Sequence, residues 1–140
     1  MVKVEQNDEE VIEGPGASFD VIHQYTRTQA IEDGFLVDVS ETAKEAGIKF
    51  PVALTRAVWS RYVELTPAAK RALNDERGRL WDVLWMFRCT AVRMGGGSEL
   101  MFSLYVVTKS IRPSLIKLKA ICGPGDNAEP VITIMLPEED

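Results

Sequence analysis

The stretch Arg79–Met94, RLWDVLWMFRCTAVRM, limits what this chain can fold into more than any other. Leu80, Leu84, Phe87 and Ala91 recur at spacings of four, three and four, which is one face of an α-helix. Trp81, Trp85 and Val92 widen that stripe and leave a narrow polar edge around Asp82, Thr90 and Arg93. A helix with so wide an apolar face is central rather than superficial. The rest of the chain is therefore expected to pack around it, with both tryptophans as packing residues rather than surface platforms.

Gly95-Gly96-Gly97 ends this helical half, and the apolar period changes from helical to alternating. Leu100, Phe102, Leu104 and Val106 alternate with Met101, Ser103, Tyr105 and Val107. The same alternation recurs in Leu115–Cys122 and in Val131–Leu136. Three such runs joined by turn-rich connections read as an antiparallel meander.

Upstream of the long helix the pattern is helical but shorter. Ser18 or Asp20 is a suitable cap for a helix running to about Asp33, with Gly34 as its stop. Phe35–Val39 is an edge strand or an extended connector, and Ser40 is expected to cap a short helix ending at Gly47. Ile48–Leu54 is ambiguous: alternation favours a strand, Pro51 favours the first turn of a helix. The favoured expectation is an extended start followed by a helix over Val52–Glu64. Thr66-Pro67 then opens a short exposed helix through Leu73. Helices first and strands last point to an α+β fold: N-terminal helices packed on a C-terminal three-stranded antiparallel β-meander. The organisation expected is a flexible acidic segment over residues 1–17 and a single α+β domain over residues 18–140.

Charge is uneven along the chain. Residues 1–17 carry a net −4, residues 18–125 a net +4, and residues 126–140 a net −5. The acidic ends are candidates for contact with a basic partner, through Asp126, Glu129, Glu138, Glu139 and Asp140. The body offers Lys70, Arg71, Arg77, Arg79, Lys117 and Lys119 as a candidate partner or nucleic-acid surface. A dedicated nucleic-acid binder is usually strongly basic. A net charge of −5 over the whole chain makes that the second choice. No apolar run approaches the roughly 18 residues of a membrane span, and no apolar stretch follows a basic start at MVKVEQNDEE. A cytoplasmic protein with no membrane partner is expected.

Constellations that carry chemistry are sparse. Two cysteines, Cys89 and Cys122, and one histidine, His23, do not make a four-ligand zinc site, so no metal or cofactor is expected. Cys122-Gly123-Pro124-Gly125-Asp126 places a thiol beside a glycine-rich turn, which leaves a thiol enzyme as the weakest reading; the same residues make an ordinary strand connection. Asp20 and His23 share a helical face and would suit acid–base work, although a capping Asp beside a surface His is far commoner. There is no phosphate-binding glycine motif.

The segments PVALTRAVW (51–59), GRLWDVLWM (78–86) and CGPGDNAEPVITIMLPEED (122–140) together resemble an uncharacterised family of small proteins, a domain of unknown function found on plasmids, integrative elements and phages. The resemblance spans roughly residues 18–140. It implies a context and no site residues: an accessory protein of a mobile genetic element. The leading expectation is therefore a non-catalytic protein-binding protein directed at a host protein complex. An anti-defence inhibitor, anti-CRISPR or antirestriction, with a defence nuclease as target, is the specific form of it. The alternative is a nucleic-acid-binding accessory factor using the basic helices over residues 56–93.

Overall fold

The computed structural model describes residues 25–140. The acidic segment expected over residues 1–17, the Ser18 or Asp20 cap, and the Asp20–His23 pair all lie outside the described residues. Helix α1 (Arg27–Glu32) begins only after Thr26, which caps it in extended conformation. The Thr26 hydroxyl accepts from the Gln29 N–H, and the Gln29 side chain accepts from the Thr26 N–H in return. This reciprocal capping box satisfies two otherwise orphaned donors.

Strand β1 (Leu36–Asp38) leads into helix α2 (Ser40–Glu45). Val39, not Ser40, occupies the cap position, and no side chain caps the helix. The Ser40 hydroxyl is used otherwise: it donates to Asp38 Oδ1 at 2.6 Å and accepts from the Val52 N–H at 3.1 Å. That ties the helix start to strand β2 (Val52–Thr55).

Here the structure departs from the expected Val52–Glu64 helix. Val52, Ala53 and Leu54 are fully buried in a strand, and the helical segment starts at Arg56 once the Thr55 hydroxyl has accepted from the Val58 N–H. Short helix α3 (Arg56–Val58) passes directly into a π-helical turn, Trp59–Val63. Thr66 and Pro67 open α4 (Pro67–Arg71) as expected, and Asp75 caps the long helix α5 (Glu76–Met94). The Asp75 carboxylate accepts from the Gly78 N–H at 2.6 Å, and a Cβ at Gly78 would sit only 2.9 Å from that carboxylate. The glycine in the first turn is therefore matched to its cap.

Strands β3 (Glu99–Val106), β4 (Ser114–Pro124) and β5 (Pro130–Met135) form the expected antiparallel run. They do not stand alone. One mixed five-stranded sheet holds all strands in the order β1-β2-β5-β4-β3, with β2 parallel to β5 and antiparallel to β1. The fold is α+β, but the three-stranded meander is one side of a larger sheet.

The core lies between α5 and one face of this sheet. Leu80, Val83, Leu84 and Phe87 meet Leu100, Phe102, Leu104, Leu118 and Ile134, and Phe87 packs edge-on to Phe102 with centroids 5.7 Å apart. Burying each large side chain contributes about 1.5–3 kcal/mol relative to exposure, so this layer dominates the fold's stability. Among the described residues no helix is long and apolar enough to cross a membrane.

Candidate binding surface

Helix α5 has a second face. Arg77, Trp81, Trp85, Arg88 and Val92 follow one another at helical spacing on the side away from the core. Trp81 is half-buried and packs against the core margin, but Trp85 is 40% exposed, contrary to the expectation that both tryptophans are core. The two indoles stack nearly parallel, 10° apart with centroids at 5.8 Å. The Arg88 guanidinium lies 5.2 Å from the centre of the Trp85 ring, a cation–π geometry.

The turn that follows helix α2 lies against Arg88. Gly47, just beyond α2, has φ +90°, and a Cβ at this position would lie 2.9 Å from Arg88 Nε. Glycine thus provides both the left-handed turn and the room for the arginine stem. Arg77 Nη2 lies 3.3 Å from Glu45 Oε1 of the same helix, an exposed pair of little energetic weight.

At one end of this face an open groove of about 650 Å³ runs between α2, the α4–α5 joint and α5. Glu45, Leu73, Arg77 and Trp81 are among its walls. Leu73 is 92% exposed and holds φ at +62°. Its N–H donates to Lys70 O, and the Asn74 N–H donates to Ala69 O, the hydrogen-bond pattern of a Schellman motif. The position normally belongs to glycine; a leucine there costs roughly 1–2 kcal/mol of left-handed strain. The chain therefore carries an exposed apolar side chain at a strained position beside Trp81.

The candidate residues separate into two groups. Lys70, Arg71 and Arg77 are exposed on α4 and α5. Lys117 is exposed too, but on the sheet face opposite α5, so it does not join them. Arg79 is not a surface residue at all: it is 5% exposed. Its Nε donates to Val63 O at 3.0 Å, and Nη1 donates to Val107 O at 3.0 Å and to Asn74 Oδ1 at 3.2 Å, while Nη2 is buried without a partner among the described residues. It clamps the ends of the π-turn and β3 to α5. Burial lowers its pKa from the ordinary arginine value, opposed by the nearby Asp82 charge. Asp82 is pushed above the usual carboxylate range by desolvation, an effect Arg79 partly offsets.

Several of the remaining charges also serve the fold. Lys119 donates from Nζ to the Glu139 carbonyl, and the Glu139 carboxylate accepts from Thr55 Oγ1 and from the Leu136 N–H, both at 2.8 Å. Asp126 accepts from the Arg27 N–H, the Thr28 N–H and the Thr28 hydroxyl at 2.8, 3.0 and 2.7 Å. Those bonds, the Thr28 hydroxyl first, hold its carboxyl below the usual range. Glu129 accepts from the Asn127 N–H inside its own turn. Glu138 and Asp140 stay exposed. Cys122 is half-buried against the core and paired in register with Ile132. The glycine-rich loop after it docks α1 through Asp126.

Residues 15–140 match the model of a family of unknown function, DUF6573. The chain belongs to DUF6573. No curated protein and no solved structure matches this DUF6573 member. Among its described residues, no three His, Cys, Asp or Glu side chains are grouped to hold a metal ion.

The sequence reading missed Trp85 as a surface residue and Leu73 as a left-handed turn beyond its helix. The signal for Trp85 was present: Trp81, Trp85, Arg88 and Val92 form their own stripe, far round the helix from Val83 and Phe87. For Leu73, Asn74-Asp75 after a short helix marked the turn, yet nothing local showed that leucine rather than glycine would take the left-handed position.

Proposed function

We propose that this DUF6573 protein is a non-catalytic binding module that docks a partner protein through the outward face of α5. The observation that carries this reading is the Trp81–Trp85–Arg88 stack, with Trp85 40% exposed beneath the Arg88 guanidinium. Tryptophan and arginine are the residue types most enriched among interface hot spots. Side chains already locked by stacking also lose little freedom on binding. Strained, exposed Leu73 beside Trp81 adds a second apolar anchor at the end of the same face.

The setting we propose is the one the sequence resemblance implies: an accessory protein of a mobile genetic element, acting in the cytoplasm on a host protein complex. An anti-defence role, with a defence nuclease as target, is the specific form of that proposal. A second reading, nucleic-acid binding, is favoured by one observation: Lys70, Arg71 and Arg77 are all exposed on α4 and α5, where they can reach phosphate oxygens.

Affinity capture of the tagged full-length protein from host lysate, with and without nuclease, separates the two. The protein-binding reading predicts a stoichiometric protein partner that survives nuclease. Capture that collapses with nuclease would overturn it in favour of nucleic acid, and the affinity should then fall steeply with salt.

A further inference from the structure

The two edges of the sheet are built differently. Strand β1 is three residues long and includes the charged Asp38, the ordinary way of blunting an edge. Strand β3, at the other edge, is eight residues long, ELMFSLYV, with no Lys, Pro or Gly and a single charge at its first residue. Such an edge is an open template for another strand.

The phase of that template is fixed. The Cys122 N–H donates to Ser98 O at 2.8 Å, and in an antiparallel pair the bonded residues alternate. Leu100, Phe102, Leu104 and Val106 therefore turn their backbone groups toward β4. Glu99, Met101, Ser103 and Tyr105 turn theirs outward, where no partner strand stands among the described residues. Beside this edge, on the sheet face away from α5, Met101 is 40% and Tyr105 68% exposed.

We propose that β3 pairs antiparallel with β3 of a second copy of this chain, about a two-fold axis through Ser103, joining two sheets into one. The strand is its own complement in this register. Met101 faces Tyr105 of the second copy, a favourable sulfur–aromatic pairing, and does so twice. Ser103 faces Ser103, and Phe102 lies opposite Leu104 of the second copy, so the apolar core row continues across the axis. No like charges are brought opposite each other. This interface is separate from the α5 face, so either can fail without the other.

Sedimentation equilibrium of the full-length protein is expected to give twice the 15.6 kDa chain mass. Ser103→Pro removes one outward N–H, leaves the β4 ladder bonds in place, and should return the mass to that of one chain. Ser103→Cys with Cys89→Ser and Cys122→Ser should form a disulfide-linked dimer under mild oxidation. Bonded antiparallel partners sit about 5.5 Å apart, within disulfide reach. Glu99→Cys in the same background should not, because the two positions would be roughly 27 Å apart along the strands. A wild-type protein that stays monomeric at all concentrations, or equal cross-linking by both cysteine variants, would overturn the proposal.

Discussion

Arg79 and Arg88 sit on one helix and do opposite things. Arg79 faces inward, and its guanidinium closes the carbonyl ends of a π-turn and a strand. Arg88 faces outward and spends its charge on an exposed indole. The inward face of α5 is busy with groups the fold requires. The outward face holds aromatic and cationic groups to which the core makes no comparable claim, which is why we assign the binding role there.

Breaking the inward side should have the largest effect. Arg79→Met keeps most of the side-chain length but strands the carbonyls of Val63 and Val107. Urea unfolding is expected to show a loss on the order of 3 kcal/mol, as unpaired buried acceptors cost about 1–3 kcal/mol each. On the outward side the sign reverses. Leu73→Gly relieves the left-handed strain and should gain about 1 kcal/mol of stability while weakening partner binding. Trp85→Ala removes a part-exposed ring together with its stack on Trp81, should cost about 1 kcal/mol of stability, and should abolish capture.

The smallest effect lies at Asp82, beside both faces. Its folded pKa is raised, so the fold binds this proton more tightly than the unfolded chain does. Its contribution therefore grows more favourable as pH falls from that raised value to the ordinary 3.8, and is least favourable above it. Asp82→Asn should be slightly more stable than wild type at pH 7, with the advantage gone near pH 3. Urea midpoints at the two pH values check this; an advantage that grows toward low pH would contradict it.

What could be read in the sequence follows the same division. The alternation of Leu100, Phe102, Leu104 and Val106 identified β3 because one sheet face is buried and the other open. Strand β2 looked like a helix start because Pro51 imitates one, and because Val52, Ala53 and Leu54 are all buried, so the alternation over Ile48–Leu54 that favours a strand has no exposed face to reinforce it. Its pairing with β5 joins residues some 80 positions apart, which no local pattern encodes. Arg79 looked like one more surface base, although it shares a helical face with Val83 and Phe87. Trp85 looked like core because it reads as a widening of the apolar stripe of Leu80, Leu84 and Phe87. The residues proposed to face a partner were hidden by their resemblance to packing residues, and the clamp by its resemblance to surface.

The most direct measurement is a matched capture from nuclease-treated host lysate. Wild type, Trp85→Ala and Lys117→Glu, the last on the opposite sheet face, would be compared at equal bait. If the outward face of α5 docks the partner, wild type and Lys117→Glu retain the same stoichiometric protein and Trp85→Ala loses it. Equal capture by Trp85→Ala, with loss on Lys117→Glu, would place the binding surface on the sheet and contradict the role given to α5.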